Sequence, residues 1–545
     1  MLGLAVLAGL LAAVAAWQLT AVRPAPSLRL QAWHTATKAR APAGAALFAL
    51  GDFGALDLDT LQTTAMPWPV LASALALAET GGNAAAVTPQ HVIAVFKRFG
   101  FLYPRAIADH PDINVSGDIP LGFSVGRVER WFPPIRITAI NIGCAACHAA
   151  PAYRADGTPD PDLAVLGRPN TGLDLEALTQ YGFKALTTAF ADPPSFSLAM
   201  QRLFPDMSLR ERLTLNYIVI PAARKRVAAL AASLGRSLPF SNGAPGLTNG
   251  VGALKHQLHV KRPDRLNTET GFVSVPDLAD RSFRSALLAD GAYAPKNTDR
   301  FRLVTRQEAL HRDPRPIAAI ASFFMVPSMG LSPARTEAAI PQLTQVAAFL
   351  SAAPPRKFPG VIDKPKAAAG RLVYARACAS CHGQYDTSLK SPKLLAFPNW
   401  AGDVGTDRTR ADVFDATLKA AVDQTPHGHR YIDAASTGRM TAQLLSGLWS
   451  SAPYFTNGSI PTLRHLLEPE TRPRKFMTGG HRLNLDMVGV DGKLDAEGTW
   501  ATPPGYQPYS TPALIDTTMP GFSNRGHEIE VRDLSPQDRT NLLDI

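Results

Sequence analysis

The sequence has little charge, few cysteines and few long apolar runs. Charged residues make up 18% of its 545 positions, below the roughly 25% of an average protein. The net charge of +10 is diffuse, and no block of lysine or arginine resembles a nucleic-acid footprint, which excludes a dedicated nucleic-acid-binding protein. Beyond the N-terminal segment no run of about 18 apolar residues occurs, so no internal membrane span is expected. Apolar residues still reach 46%, which is enough for folded cores.

The four cysteines occur in one repeated pattern and leave none for a disulfide framework. Each pair has the spacing Cys-x-x-Cys and is followed at once by a histidine. The residues are Cys144, Cys147 and His148, and then Cys378, Cys381 and His382. Thiols at i and i+3 lie on one side of a helical turn, where they can join one edge of a porphyrin while the next histidine binds its iron. The motifs therefore predict two covalently bound haem c groups.

Other uses of paired cysteines fit the pattern less well. A tetrathiolate zinc site places its pairs about 15–20 residues apart and needs no histidine after each pair. A thioredoxin-like redox site would need only one such motif. Both alternatives leave the repeated histidine unexplained.

The N-terminal segment predicts export. Haem c is matured outside the cytoplasm, and residues 1–30 include an Ala/Leu/Val-rich stretch, Leu2 to Val22, with the length of a signal sequence or a short membrane anchor. Arg23 and Arg29 follow this stretch, whereas the positive-inside rule would place them before a retained anchor. We expect a periplasmic protein, and both a cleaved signal and a tether to the inner membrane remain open.

Proline- and glycine-rich segments divide the remaining chain. They predict an N-terminal haem c domain over residues 31–353, a linker over 354–365 and a C-terminal cytochrome c domain over 366–545. The opening of the last domain resembles the first helix of a class I cytochrome c, with Gly370 and Tyr374 on the face that crosses a C-terminal helix.

Helical patterns dominate between these boundaries. Apolar spacing predicts a helix over Pro89–Phe99 and two helices within Leu209–Leu234 that separate at Pro221. The run Ile135 to Gly143 looks extended, but no strong series of strands appears. We therefore predict a mainly α fold with two cytochrome c-like haem domains and long loops.

The segment Ser450–Leu467 (SSAPYFTNGSIPTLRHLL), after Gly447-Leu448-Trp449, resembles a signature of the di-haem cytochrome c peroxidase superfamily. Five further segments resemble the branch of the di-haem rubber oxygenases: Leu121–Ser124, Leu166–Asn170, Val275–Leu278, Leu288–Gly291 and Gly521–Glu528. The resemblance spans roughly residues 90 to 545. Many relatives carry histidine where this chain has Thr456, so it does not imply rubber cleavage or a peroxidase role that depends on that histidine.

The resemblance implies unequal axial ligands. It makes His527, beside Gly526 in a loop near the C-terminus, the sixth ligand of the C-terminal haem. Met440 is the alternative at a spacing seen in Met-ligated cytochromes c, and the less favoured methionines are Met477, Met487 and Met519. For the N-terminal haem no sixth ligand is evident, because the remaining candidate histidines carry no motif. These are His110, His256, His259 and His311.

Several other side chains are candidates for supporting roles. Trp449 is a candidate electron relay between the haems, although on residue type alone a tryptophan of a hydrophobic core is the more common case. Trp131 and Phe132 precede the first motif and are candidates to line its pocket. The candidate partners of the haem propionates are Arg136, Arg168 and Arg439.

An open iron at the N-terminal haem predicts an oxidoreductase of the peroxidase or haem oxygenase kind. The N-terminal haem would react with peroxide or dioxygen, and the C-terminal haem would exchange electrons with a small redox protein or a quinol-linked donor or acceptor. No nucleic acid partner is expected, and membrane contact is expected only through an N-terminal anchor. The alternative is a non-catalytic di-haem electron-transfer cytochrome. The chain length favours the enzyme, because a cytochrome c domain needs only about 100 residues.

Overall fold

The computed structural model describes residues 26–37, 44–132, 134–260, 270–388 and 392–545. Residues 1–25 of the expected export segment lie outside these ranges. The helices of eight or more residues are Leu28–Thr37, Trp68–Glu79, Pro89–Arg98, Leu175–Ala191, Pro193–Leu203, Ile220–Ser233, Gly250–Gln257, Arg315–Phe323, Ile340–Ala352, Lys364–Ala377 and Ala416–Asp423. In the described ranges, no helix has both the length and the apolar character to cross a membrane.

Many helical segments are short. The α-helical ones are Gly44–Leu50, Cys144–Cys147, Leu209–Thr214, Arg306–His311, Met325–Met329, Ala379–His382, Thr409–Asp412, Pro426–Arg430, Leu463–Leu467, Glu528–Val531 and Pro536–Leu542. The 3-10 turns are Thr60–Gln62, Ala84–Ala86, Arg281–Phe283, Thr336–Ala339, Leu448–Ser450 and Pro469–Thr471. A π-helical turn, Leu215–Val219, joins Leu209–Thr214 to Ile220–Ser233, so the break predicted at Pro221 is a widened turn just before it.

The strands of the described residues form eight sheets of two to four strands. The longest pair is the antiparallel hairpin Phe123–Arg130 and Ile135–Ile142, with Phe123 opposite Ile142 and Arg130 opposite Ile135. The other strands are Met66–Pro67, Ala106–Ile107, Ala149–Tyr153, Pro159–Leu166, Leu247–Thr248, Val273–Ser274, Tyr293–Pro295, Val304–Thr305, Gln384–Tyr385, Leu394–Phe397, Ala401–Gly402, Ile432–Ala434, Met440–Thr441, Lys475–Thr478, Leu483–Asn484, Gly489–Val490, Lys493–Leu494, Thr499–Ala501 and Ala513–Asp516.

The prediction of a mainly α fold is wrong. About 41% of the described residues are helical and 15% are in strands. Most strands have two to four residues, which is too short for the alternation of apolar and polar residues that reveals a strand in a sequence. Several pairs, such as Tyr293–Pro295 with Ile432–Ala434, also join segments that lie far apart in the chain, so no hairpin pattern marks them.

Strand pairs cross the predicted linker. Tyr293–Pro295 pairs with Ile432–Ala434, and Val304–Thr305 pairs with Leu394–Phe397. Residues from before the linker therefore contribute to the packing around the second haem motif. The domain boundaries themselves stay a prediction.

The helix before the second motif crosses the C-terminal helix closely, as the sequence predicts. A Cβ added at Gly370 of Lys364–Ala377 would lie 2.1 Å from the carbonyl oxygen of Asn541, which belongs to Pro536–Leu542. Tyr374, one turn later, donates a hydrogen bond to the carbonyl of Gly383 (2.9 Å), directly after the motif histidine. This crossing anchors the turn that carries the second cysteine pair.

Candidate functional site

Each cysteine pair lies on a short helical turn. The first turn, Cys144–Cys147, begins after Gly143 at the end of the long hairpin, and the backbone N–H of His148 closes it on the carbonyl of Cys144 at 2.9 Å. Burial raises the pKa of the Cys144 and Cys147 thiols to about 12. The thiols therefore stay protonated near neutral pH, which argues against a thiolate nucleophile at this site.

The two motif histidines are oriented in the same way. Nδ1 of His148 lies 3.1 Å from the carbonyl oxygen of Pro276, and Nδ1 of His382 lies 2.8 Å from the carbonyl oxygen of Gln443. Donation from Nδ1 leaves the lone pair of Nε2 free, which is the arrangement of a metal-binding imidazole. Burial lowers the pKa of both histidines to about 4, so both rings are neutral at pH 7.

His527 faces His382. The two ring centroids lie 6.3 Å apart with an angle of 31° between the planes. Two metal–nitrogen bonds of about 2.0 Å, with about 1.1 Å from each bonded nitrogen to its ring centroid, would place two axial imidazoles of one iron about 6.2 Å apart. The spacing therefore fits one iron between the two rings.

The loop around His527 is held from several sides. Phe455 stacks on the His527 ring, with centroids 5.5 Å apart, and the backbone N–H of His527 donates to the carbonyl of Val404 at 2.9 Å. Arg472 donates to the carbonyl of Gly526 at 2.9 Å. Burial and the nearby Arg472 charge lower the pKa of His527 to about 4. Phe455 belongs to the Ala-Pro-Tyr-Phe segment, so this motif supports the loop that carries the histidine.

Both motifs open into one cavity of about 2990 Å³. Ligand and cofactor pockets usually have roughly 300–1,000 Å³, so this cavity can hold more than one large group. All four cysteines line it, together with His148, His382 and His527.

The cavity wall includes Arg284, which is buried, and Arg281, which is half-buried. Nε of Arg281 donates to the carbonyl of Asp277 at 2.8 Å, and Arg284 donates to the side-chain oxygen of Gln443 at 3.3 Å. Neither arginine forms an ion pair with any of the described residues. Burial lowers their pKa values, to about 10 for Arg281 and about 9 for Arg284. A buried cation needs an anion beside it, and the carboxylates of a haem would supply one.

These observations together fit haem c at both motifs. Paired thiols, histidines with a free Nε2 and unpaired guanidinium groups all face the same space. The arginines predicted from the sequence do not line the cavity: Arg136 pairs with Glu129 at 2.6 Å, Arg168 forms a buried ion pair with Asp277, and Arg439 is exposed. Sequence reasoning missed Arg281 and Arg284 because nothing local distinguishes them from surface arginines.

One loop contacts the supports of both motif histidines. Pro276 accepts the hydrogen bond of His148, while Arg284, eight positions later, contacts Gln443, whose carbonyl accepts the hydrogen bond of His382. Ser446 also donates to the carboxylate of Asp280 between these two positions. Segment 276–284 thereby sets the relative position of the two motif histidines. Of this segment, only residues 276–278 were noted in the sequence for their resemblance to a known family.

The other candidates are placed as follows. Trp449 lines the cavity, contacts the rings of Tyr153 (5.9 Å) and Phe358 (6.1 Å), and donates to the carbonyl of Arg356 at 3.2 Å. Met440 is buried and also lines the cavity. Five candidates lie elsewhere in the described chain: Met477, Met487, Met519, His110 and His311.

Four more candidates differ in their relation to the cavity. His256 and His259 line it. Trp131 and Phe132 do not, since 58% and 66% of their surfaces are exposed at the turn of the long hairpin. The prediction that these two aromatic side chains line the first haem pocket is therefore wrong.

Comparison with known proteins supports the haem assignment. Residues 440–477, which include Gln443, Trp449 and Phe455, match a family described as RoxA-like, cytochrome c-like. An uncharacterized protein, y4iM, of Sinorhizobium fredii (strain NBRC 101917 / NGR234) is 31% identical over 228 residues, which cover 36% of this chain and 48% of that protein. Another from the same organism, the uncharacterized protein y4iJ, is 24% identical over 515 residues, 79% of each chain.

The chain thus spans about half the length of the first of these relatives. A cytochrome c-like segment implies covalently bound haem c, and the RoxA-like group consists of oxidoreductases. By this similarity and its attachment motifs, the chain is a haem c protein with the character of an oxidoreductase.

Proposed function

We propose that this protein is a periplasmic di-haem c-type oxidoreductase whose two haems have different tasks. The C-terminal haem, on Cys378, Cys381 and His382 with His527 opposite, transfers electrons. The N-terminal haem, on Cys144, Cys147 and His148, is open and reacts with peroxide or dioxygen. When bound, haem c supplies one-electron redox chemistry and, at an open axial position, a site for such oxidants. The observation that carries this proposal is the difference between the surroundings of the two motif histidines.

At the C-terminal motif, the 6.3 Å spacing between the rings of His382 and His527 supports a six-coordinate iron. Six-coordinate iron exchanges electrons without binding a substrate. At the N-terminal motif, no second imidazole lies within ring-contact distance of His148 among the described residues. This contrast favours an open iron there.

The wall near the N-terminal motif supports a reactive site. Phe123 and Ile140, on the two strands that lead to the motif, line the cavity together with Leu178 and Leu186 of the neighbouring helix Leu175–Ala191. Apolar walls exclude water, which strengthens electrostatic interactions inside and limits side reactions. His256 and His259 in the same cavity are candidates for the proton transfer that peroxide chemistry needs.

The protein's own groups would divide the remaining work. The carbonyls of Pro276 and Gln443 orient the motif histidines, and Arg281 and Arg284 neutralise the anionic edges of the haems. Trp449 contacts two aromatic rings in the same cavity, which supports a role as an electron relay. Electrons would come from a small redox protein or a quinol-linked carrier.

Electron paramagnetic resonance of the ferric holoprotein tests this division. We expect one low-spin and one high-spin signal, and peroxide or cyanide should change only the high-spin signal. His527→Ala should convert the low-spin signal to high-spin, whereas His429→Ala, at an exposed position, should leave both unchanged. Two low-spin signals that do not respond to these ligands would refute the enzyme proposal in favour of an electron carrier.

Counting haems tests the cofactor proposal separately. The pyridine haemochrome and the intact mass should show two haems in the parent protein. Cys144→Ser with Cys147→Ser should leave one, and so should Cys378→Ser with Cys381→Ser. One haem in the parent would refute the di-haem assignment.

A further inference from the structure

A cluster of large apolar side chains lies exposed on one side of the N-terminal part. We call it the hairpin–helix patch, and its residues are Trp131, Phe132, Leu209, Leu213 and Tyr217. Their exposed fractions are 58%, 66%, 70%, 47% and 77%. Single exposed leucines are ordinary, but a contiguous cluster of this kind usually marks an interaction surface.

Two elements meet in the patch. Trp131 and Phe132 form the turn of the long hairpin, and Leu209 begins the helix that packs beside it. The guanidinium of Arg210 lies 5.5 Å from the centre of the Trp131 ring and donates to the carbonyl of Ile135 at 3.2 Å. The hairpin turn and the helix are therefore one connected surface.

The helix has its polar side inward and its apolar side outward. Glu211 and Thr214 are buried, where they accept hydrogen bonds from the backbone N–H groups of Thr138 (2.6 Å) and Arg136 (3.2 Å). Leu209, Leu213 and Tyr217, spaced by four positions, are exposed instead. Apolar side chains stabilise a fold when they are buried, so the packing of this helix against the protein does not explain why its outer face is apolar. That face indicates contact with a partner.

The charge around the patch is positive. Exposed cations near it on the hairpin and along the helix are Arg127, Arg212, Arg224 and Lys225, and none of them forms an ion pair with a described residue. Of the nearby acids, Glu129 is paired with Arg136 at 2.6 Å and Glu211 is buried, which leaves Asp206 exposed. A second copy of this surface would bring like charges together, whereas an anionic surface would be attracted.

We propose that the hairpin–helix patch docks this protein on the surface of a lipid bilayer that contains anionic headgroups. The apolar side chains enter the boundary between headgroups and acyl chains, and the basic side chains contact lipid phosphates. Aromatic and aliphatic side chains flanked by lysine and arginine are typical of proteins that lie on a membrane. This inference does not depend on the redox chemistry of the haems.

Docking there would place one wall of the haem cavity beside the bilayer. The helix continues as Ile220–Ser233, in which no residue is fully buried, and Ala223, Val227 and Leu230 line the cavity. Nη1 of Arg226 holds this helix to the carbonyl of Gln62 at 2.6 Å. The same element therefore carries the docking surface and closes the cavity.

Vesicle binding by the full-length holoprotein tests the proposal. We expect binding to phosphatidylcholine vesicles that contain about one third phosphatidylglycerol, and much weaker binding to phosphatidylcholine alone. Leu209→Ser should weaken binding by about tenfold. Leu372→Ser provides the matched control, because Leu372 is equally exposed (70%) but lies on another helix, and it should bind as the parent does. Arg224→Gln with Lys225→Gln should weaken binding by about thirtyfold at low salt.

Fluorescence quenching locates the contact. Vesicles with brominated acyl chains should quench part of the tryptophan emission, and Trp131→Phe, which keeps an apolar side chain, should remove that part. Unchanged haem absorption and circular dichroism verify that each variant is folded. Parent-like binding by the patch variants, or quenching that persists in Trp131→Phe, would overturn the proposal. So would lipid-free dimers that the patch variants dissociate, since they would make the patch an interface between chains.

Discussion

Gly526 sets how closely the loop of His527 approaches its neighbours, and an alanine at this position tests the geometry of the site. Its φ of +130° is one that L-residues rarely adopt, and an added Cβ would lie 2.4 Å from Cγ2 of Thr406 and 3.1 Å from its Cα. Hydrogen bonds from His527 to Val404 and from Arg472 to Gly526 hold the loop on both sides. The methyl group must therefore displace the loop, and His527 with it.

The structure gives a magnitude and a control for this variant. Backbone strain at a non-glycine residue costs about 1–3 kcal/mol, and forcing a methyl group into a closed contact costs about 1–3 kcal/mol more. Gly526→Ala should thus lower the free energy of unfolding by about 2–6 kcal/mol. Gly117 has almost the same φ, +128°, with no atom within 4 Å of an added Cβ. Gly117→Ala should therefore lower the free energy of unfolding only by the cost of the backbone strain.

Denaturant unfolding and the ferric resonance spectrum measure the two consequences. In Gly526→Ala part of the low-spin signal should become high-spin, because a displaced His527 no longer faces His382 at 6.3 Å. Gly117→Ala should keep the parent spectrum. Equal losses of stability in the two variants, together with an unchanged low-spin signal in both, would refute the reasoning that close packing at Gly526 positions His527.

Three further predictions concern buried charge. Asp290→Asn leaves a buried guanidinium without its partner and should cost about 3–5 kcal/mol in denaturant unfolding, whereas Asp162→Asn in an exposed pair should cost under about 1 kcal/mol. Burial lowers the pKa of His481 to about 4. The neutral ring therefore contributes about 3 kcal/mol at most to the free energy of unfolding, and this contribution is present above pH ~6.5 and lost as the pH falls towards 4. His481→Leu should make the free energy of unfolding less dependent on pH in this acidic range. Arg284→Leu removes a cation from the cavity and should lower a haem reduction potential by tens of millivolts in a redox titration, unlike Arg439→Leu at an exposed site.

Each of these three predictions would be contradicted by a specific result. Equal costs for the two aspartate variants would mean that burial does not decide the value of an ion pair here. If the stability of His481→Leu falls with pH as it does in the parent, the pKa of this histidine is not lowered in the folded state. An unchanged potential in Arg284→Leu would mean that the guanidinium lies too far from a haem to act on it.

The fold was predictable from the sequence only where it is local. The helix Pro89–Arg98 and the crossing at Gly370 follow from spacing within single segments. Apart from the extended run at Ile135–Ile142, the strands were missed because short pairs such as Val304–Thr305 with Leu394–Phe397 have no pattern of their own. They form because two distant segments meet, and sequence periodicity does not report such meetings.

The amino-acid sequence by itself determined the attachment chemistry, since two cysteines three positions apart and the histidine after them act within one helical turn. The tertiary structure decided what surrounds each motif. It brings His527 to His382 from the far end of the chain, aims the carbonyls of Pro276 and Gln443 at the motif histidines, and leaves Arg281 unpaired in the cavity wall. The physical reason is distance along the chain. Covalent spacing places residues that are neighbours in sequence, whereas the pairing of ligands, the orientation of the histidines and charge compensation depend on packing between segments that lie far apart in the chain.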